Sequence, residues 1–174
     1  MELDPKVTDT QVPLATSSQA WLDAMQQLEV HDRPHFFQLA ARLPEQGRTN
    51  QVFAATPLLN VVLKTYASGG ENELHAHSNE DHLFVVLQGS ATFYGPRGEE
   101  KTVVRHGGVV LPKGVLYRFT AHEGEPLVLL RVGAVHDLTG DPLARVDEDG
   151  QPFDGYSEGN KEVPCILSMT KWFR

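Results

Sequence analysis

From about residue 51 the chain is a succession of short apolar runs separated by glycine, proline, asparagine and aspartate. The runs are 51–55 (QVFAA), 60–66 (NVVLKTY), 82–87 (HLFVVL), 91–94 (ATFY), 101–104 (KTVV), 108–111 (GVVL), 116–120 (LYRFT) and 127–132 (LVLLRV). Segments this short are too brief for packed helices. Their β-branched and aromatic residues suit strands, and the turns between them are close and regular. The pattern predicts an antiparallel sandwich or barrel, an all-β fold. Residues 95–100 (GPRGEE) read as a hairpin loop. Pro112-Lys113-Gly114 reads as a tight turn, with proline presetting φ and glycine supplying φ > 0.

The flanks differ. Residues 1–16 read as a loose polar arm. Ser17 or Ser18 can cap a helix in which Trp21, Met25 and Leu28 share a face. A second short helix is expected after Pro34, with Phe36, Leu39, Ala40 and Leu43 on one side and Pro44 as its stop. Beyond residue 135 the chain is rich in Asp, Gly and Pro until the final CILSMTKWFR, so a tail should cross the surface and dock at its end. The expected organisation is an N-terminal arm with short helices over 1–50, a barrel over 51–135 and an extension over 136–174. At 174 residues the chain suits one domain.

Composition excludes some functions. The net charge is −8 and no Lys/Arg cluster appears, which argues against nucleic-acid binding. No stretch approaches the roughly 18 apolar residues that a membrane helix needs. The start carries early acidic residues and no apolar core of a secretory signal. The one cysteine, Cys165, has no partner for an internal disulfide. A cytoplasmic protein is the expectation.

Three of the eight histidines, His75, His77 and His82, fall within eight positions. His75 and His77 are two apart, so a strand presents both on one face. His82 has the opposite parity on a continuous strand. Ser78-Asn79-Glu80-Asp81 is turn chemistry, however, and a fold-back there resets the parity. His82, Phe84 and Val86 then point inward, and three imidazoles converge. Converging neutral imidazoles suit Zn, Fe(II), Ni, Cu or Co. The alternative is three exposed turn residues. The clustering of His-x-His with a third His between glycine turns favours the metal. His31, His35, His106, His122 and His136 lack ligand spacing, and Cys165 lacks the neighbours that activate a thiol.

The stretch from Gly70 to Gly89, GENELHAHSNEDHLFVVLQG, resembles the first motif of the cupins. Gly70, His75, His77 and Gly89 match, and His82 stands where the family usually carries Glu. The stretch GGVVLPKGVLY resembles the second motif. Gly107, Pro112 and Gly114 match, and Tyr117 stands in place of the usual His. The resemblance spans residues 50–135. It implies a double-stranded β-helix, or jelly-roll, barrel with a metal inside. His75, His77 and His82 are the ligands it implies. Tyr117 is either a fourth ligand or an active-site hydrogen-bond donor, and a barrel-lining aromatic is its structural alternative. Glu80 or Asp81 either orients an imidazole or replaces His82 as a ligand.

The resemblance implies several functions. One is a non-haem Fe(II) dioxygenase acting on a small organic molecule, with Phe84 and Phe119 as the apolar wall. Another is a non-redox isomerase, lyase or hydrolase with Zn, Ni, Mn or Cu. A third is a non-catalytic small-molecule-binding barrel. Separately, the strand at 82–87 is apolar on both faces, so something must cover its outside. Helices, the tail or a second subunit are candidates, and a homodimer is expected. The orientations of Lys64, Arg118 and Arg131 are not fixed by sequence.

Overall fold

The computed structural model describes residues 12–67, 71–157, 160 and 163–174. Gly70 and the first eleven residues of the expected arm lie outside the described residues. Among the described residues there is one α-helix, α1 (Ser18–Leu28). Ser17 caps it, its Oγ accepting from the Ala20 N–H at 3.0 Å. Trp21, 1% exposed, drives α1 into a cluster with Val52, Val62 and Leu143, against which Met25 and Leu28 also pack.

The second helix does not form. Residues 34–40 carry no regular element, and Ala41–Gln46 is a strand, β1, paired with β12 (Ile166–Phe173). Ala41 and Leu43 alternate inward against Phe53, Leu63 and Val128, a period of two rather than 3.6. Strand pairing across the chain overrides the local helical spacing. Pro44 sits at a register irregularity, where a missing N–H is tolerated.

The remaining strands are β2 (Arg48–Thr56), β3 (Leu59–Tyr66), β4 (Ala76–His77), β5 (Glu80–Gln88), β6 (Ser90–Tyr94), β7 (Glu100–Val104), β8 (Gly108–Leu111), β9 (Arg118–Ala121), β10 (Leu127–Val135) and β11 (Arg145–Val146). A five-stranded sheet has the order β2-β3-β10-β5-β8, and a three-stranded sheet has β7-β6-β9. Between them Tyr66, Phe84, Val86, Phe93, Tyr117, Phe119, Leu127 and Leu129 form the barrel core. The antiparallel registers place Glu80, His82, Phe84 and Val86 of β5 on the same inner face as Asn60, Val62, Lys64 and Tyr66 of β3 and Leu127, Leu129 and Arg131 of β10.

Gly89 turns β5 into β6 with φ = 71°, and a Cβ there would meet the Leu127 Cα at 3.1 Å. The segment after β10 does more than cross the surface. β11 pairs with β4, Tyr156 donates to the Ala15 carbonyl at 2.7 Å, and Phe153 lies against His75. That segment closes one end of the barrel.

Candidate metal centre

His75 is held by main-chain pairing with Tyr117, through bonds of 3.1 and 2.9 Å. His77 follows two residues later, with the rings of His75 and His77 edge to face and centroids 5.2 Å apart. The turn after His77 is fixed by Asn79, whose side chain exchanges 2.8 Å bonds with the main chain of Asp137. The chain re-enters as β5 with its parity reset. His82 then faces His77, ring centroids 3.9 Å apart. His75, His77 and His82 are all buried.

His77, Glu80 and His82 each offer a ligand atom, and these atoms lie within 4.8 Å of one another. His75 sits beside this group rather than within it. The donors are chemically apt for a divalent transition metal, as two imidazoles and a carboxylate commonly are. Among the described residues, two buried ring nitrogens, His75 Nε2 and His77 Nδ1, have no protein partner. His75 Nδ1 donates to the Glu73 carbonyl at 2.7 Å, which fixes its tautomer and leaves the Nε2 lone pair available.

Glu80 is the most heavily committed group. Its Oε1 accepts from Asn60 Nδ2 at 2.6 Å, and its Oε2 accepts from the Arg131 guanidinium and lies 2.9 Å from His82 Nε2. Arg131 also donates to Asn60 Oδ1, and its guanidinium lies beside His82 Nε2 at 2.6 Å. Gly133 makes this cluster fit, because a Cβ there would come within 2.7 Å of Glu80 Oε1 and 2.9 Å of Arg131 Nη1. Asp81 has the other parity. Its carboxylate faces out, accepting from the Lys113 N–H at 2.7 Å and pairing with His136 at 3.0 Å.

Burial dictates the protonation states. It lowers His75 to about 3, helped by the positive charge of Arg145, and His82 to about 3, helped by Arg131. His77 is also held well below its ordinary value by burial and by His82. All three are neutral at pH 7, the form that binds metal. Burial opposes ionisation of Glu80, but Arg131 and His82 outweigh it and keep the carboxylate charged. Tyr117 is pushed up to about 12 by burial, so it is a neutral phenol. Its hydroxyl is 3.5 Å from His82 Nδ1, and its ring is 4.7 Å from His75. The ring also borders a hollow of about 540 Å³ that runs along Phe93, Leu111 and Val115.

The other histidines stand apart. His106 is exposed in a turn with φ = 69°, His122 bonds Ser90 and Thr92, and His31 pairs with Glu29. Sequence left the orientations of Lys64 and Arg131 open, and the registers of β3 and β10 turn both inward. Arg145 carried no local signal. It comes from the Asp/Gly/Pro-rich segment and reaches the site only because β11 pairs with β4.

Residues 62–133 match the family model described as "Cupin domain". Among solved structures, the chain is similar to a conserved protein of unknown function from Streptococcus pyogenes (16% identity, covering 63% of this chain and 96% of that one, TM-score 0.50). It is also similar to KdgF from a Halomonas species (23% identity, 54% and 84% covered, TM-score 0.46) and to a cupin superfamily protein from Desulfitobacterium hafniense (16% identity, 63% and 96% covered, TM-score 0.47). No curated protein matches the sequence.

Proposed function

We propose, on the premise that this chain carries a cupin domain, that it is a metal-dependent enzyme of dioxygenase type. Its substrate would be a small organic molecule taken into the barrel. The observation that carries this reading is the buried His77, Glu80 and His82 group. Two neutral imidazoles and one carboxylate with open positions are the donor set of many non-haem Fe(II) oxygenases. His75, with its free Nε2, is a further ligand candidate. Fe(II) bound there would supply the redox chemistry toward dioxygen.

The chain's own residues supply the rest. Arg131 and Asn60 hold Glu80, and Glu80 orients His82. Tyr117 keeps its proton at pH 7 and can donate it as a hydrogen bond to a substrate oxygen. Phe84 and Phe119, both buried, form the dry wall. The test is metal content of the purified protein with oxygen uptake before and after chelation. Stoichiometric iron and uptake that disappears on chelation are expected. Uptake that survives complete chelation would defeat the reading.

The same buried donor set also suits a redox-neutral alternative, an isomerase, lyase or hydrolase using Zn, Ni, Mn or Cu. Turnover that proceeds equally without oxygen would select this reading. A binding module without catalysis would take up metal and ligand with no product.

A homodimer is proposed on separate grounds. Leu87 is covered by the β1–β12 side of the fold. Leu83 and its cross-strand neighbour Val110 stay 37% and 66% exposed on the outer face of the five-stranded sheet. A second copy would bury them, and a monomer mass by sedimentation would refute this. Cys165, exposed and free, is compatible with the cytoplasmic location we propose. Among the described residues, no helix is long and apolar enough to cross a membrane.

A further inference from the structure

Among the described residues the barrel interior holds two cations with no counter-charge. Lys64 is buried on β3, and the Arg145 guanidinium reaches in from β11. Among the described residues Glu80 is the one buried carboxylate, and it is already tied to Arg131 and Asn60. Lys64 is 4% exposed and lies on the inner face of β3 between Val62 and Tyr66. Its Nζ has the rings of Trp21 and Tyr66 for company, at 5.2 and 5.7 Å, and no ion pair among the described residues. Arg145 occupies the space that Gly155 leaves, since a Cβ on Gly155 would collide with its Nη1. That Nη1 is buried and has no hydrogen-bond partner among the described residues.

Burying a cation without a counter-charge is far more costly than leaving it in water. Here the cost is compounded, because Arg145, Arg48 and Arg131 all repel Lys64. Among the described residues the Tyr66 hydroxyl, on the same inner wall, also has no hydrogen-bond partner. The Arg145 charge acts on this side chain. A fold does not ordinarily assemble such a set without something to neutralise it.

We propose that this part of the barrel is an oxyanion-binding site, in which Lys64 and Arg145 take the carboxylate or phosphate of a small organic substrate, with Tyr66 donating a hydrogen bond to the same group. The inference deepens the function proposed above and rests on the reacting site being the barrel interior. It narrows the substrate class to small anions. Arg131 has its own carboxylate in Glu80 and is left out of the anion site.

Trp21 makes binding visible, because Lys64 sits over its ring and Trp172 is the other tryptophan of the chain. The full-length Trp172→Phe protein, as purified and again after chelation, is titrated with acetate, malonate, citrate and inorganic phosphate. Ionic strength is held constant and chloride is the control. A saturable change in Trp21 emission is expected, with affinity weakened tenfold or more in Lys64→Met and in Arg145→Met. The ligand-free Lys64→Met protein should melt at or above the parent temperature, because the charge removed had no partner. Lys64→Arg keeps the charge and should keep the binding.

A response to carboxylates alone, or to phosphate alone, upholds the site and identifies the group it takes. No saturable response beyond the chloride control would overturn it, as would affinities unchanged in both charge-removing variants. Oxyanion binding in a protein that takes up no metal would uphold this inference and defeat the metal reading. Metal uptake with no oxyanion response would do the reverse.

Discussion

Glu80→Gln removes one negative charge from the most enclosed polar cluster in the protein while nearly preserving shape. Asn60, Glu80, Arg131 and His82 are each at most 2% exposed, so water cannot replace what is lost. In the parent, Arg131 donates to Glu80 and Asn60, and Glu80 also lies 2.9 Å from His82. In the variant, Arg131 becomes a buried cation facing a neutral amide. Removing one partner of such a pair costs about 3–5 kcal/mol, a large part of the roughly 5–15 kcal/mol that stabilises a typical domain. For a chain of this size each kcal/mol moves Tm by about 2–4 °C, so a fall on the order of 6–20 °C is expected. The assay is thermal and urea unfolding of the chelated protein at pH 7.5. Glu80→Gln/Arg131→Met, which removes both charges, should recover much of the loss. A Tm shift below about 2 °C in the single variant would refute the reasoning, since it would mean the pair is not buried in its charged form. The same variant should bind metal at least about tenfold more weakly if Glu80 is a ligand, or even if it only orients His82.

Three further outcomes follow from the same geometry. His75 and His82 have folded-state pKa values near 3 against an ordinary value of 6.5. The unfolded chain therefore binds more protons between those limits, and stability is complete above pH 6.5 and falls as pH drops toward 3. The slope is up to about 1.4 kcal/mol per pH unit for each histidine, and Glu80 adds the same sign lower in the range. Urea midpoints of chelated protein that stay constant from pH 7.5 to 5 would contradict this. Gly133→Ala should destabilise by about 1–3 kcal/mol through overpacking, because its Cβ would press on Glu80 and Arg131. An unchanged melting temperature would show that the cluster has room to yield. Trp21→Ala should cost about 3–5 kcal/mol and loosen α1 from β2, measurable as loss of helical dichroism before global unfolding.

Much of the fold was legible from residues 51–135 because each strand there carries its own signal: a short apolar run, a turn residue at each end, and alternation once one face is buried. The histidine cluster was legible for the same reason, since His-x-His and a turn are local facts. Local spacing misled at 36–43, where a helical pattern in Phe36, Leu39 and Leu43 gave way to β1. The partner of that strand lies more than 120 residues away in β12, and no local pattern reports it.

By itself, then, the sequence determined the β character, the inward parity of His82, Phe84 and Val86, and the concentration of metal-binding side chains at one turn. Tertiary structure alone decided which carboxylate joins them. Glu80 and Asp81 are adjacent and chemically alike, yet strand parity buries one and leaves the other half-exposed. It also decided the charge of the interior. Lys64, Arg131 and Arg145 come from three distant segments, and only the registers of β3, β10 and β11 bring them inside. Electrostatic energy depends on distance and burial, and the order of residues along the chain contains neither until the chain is folded.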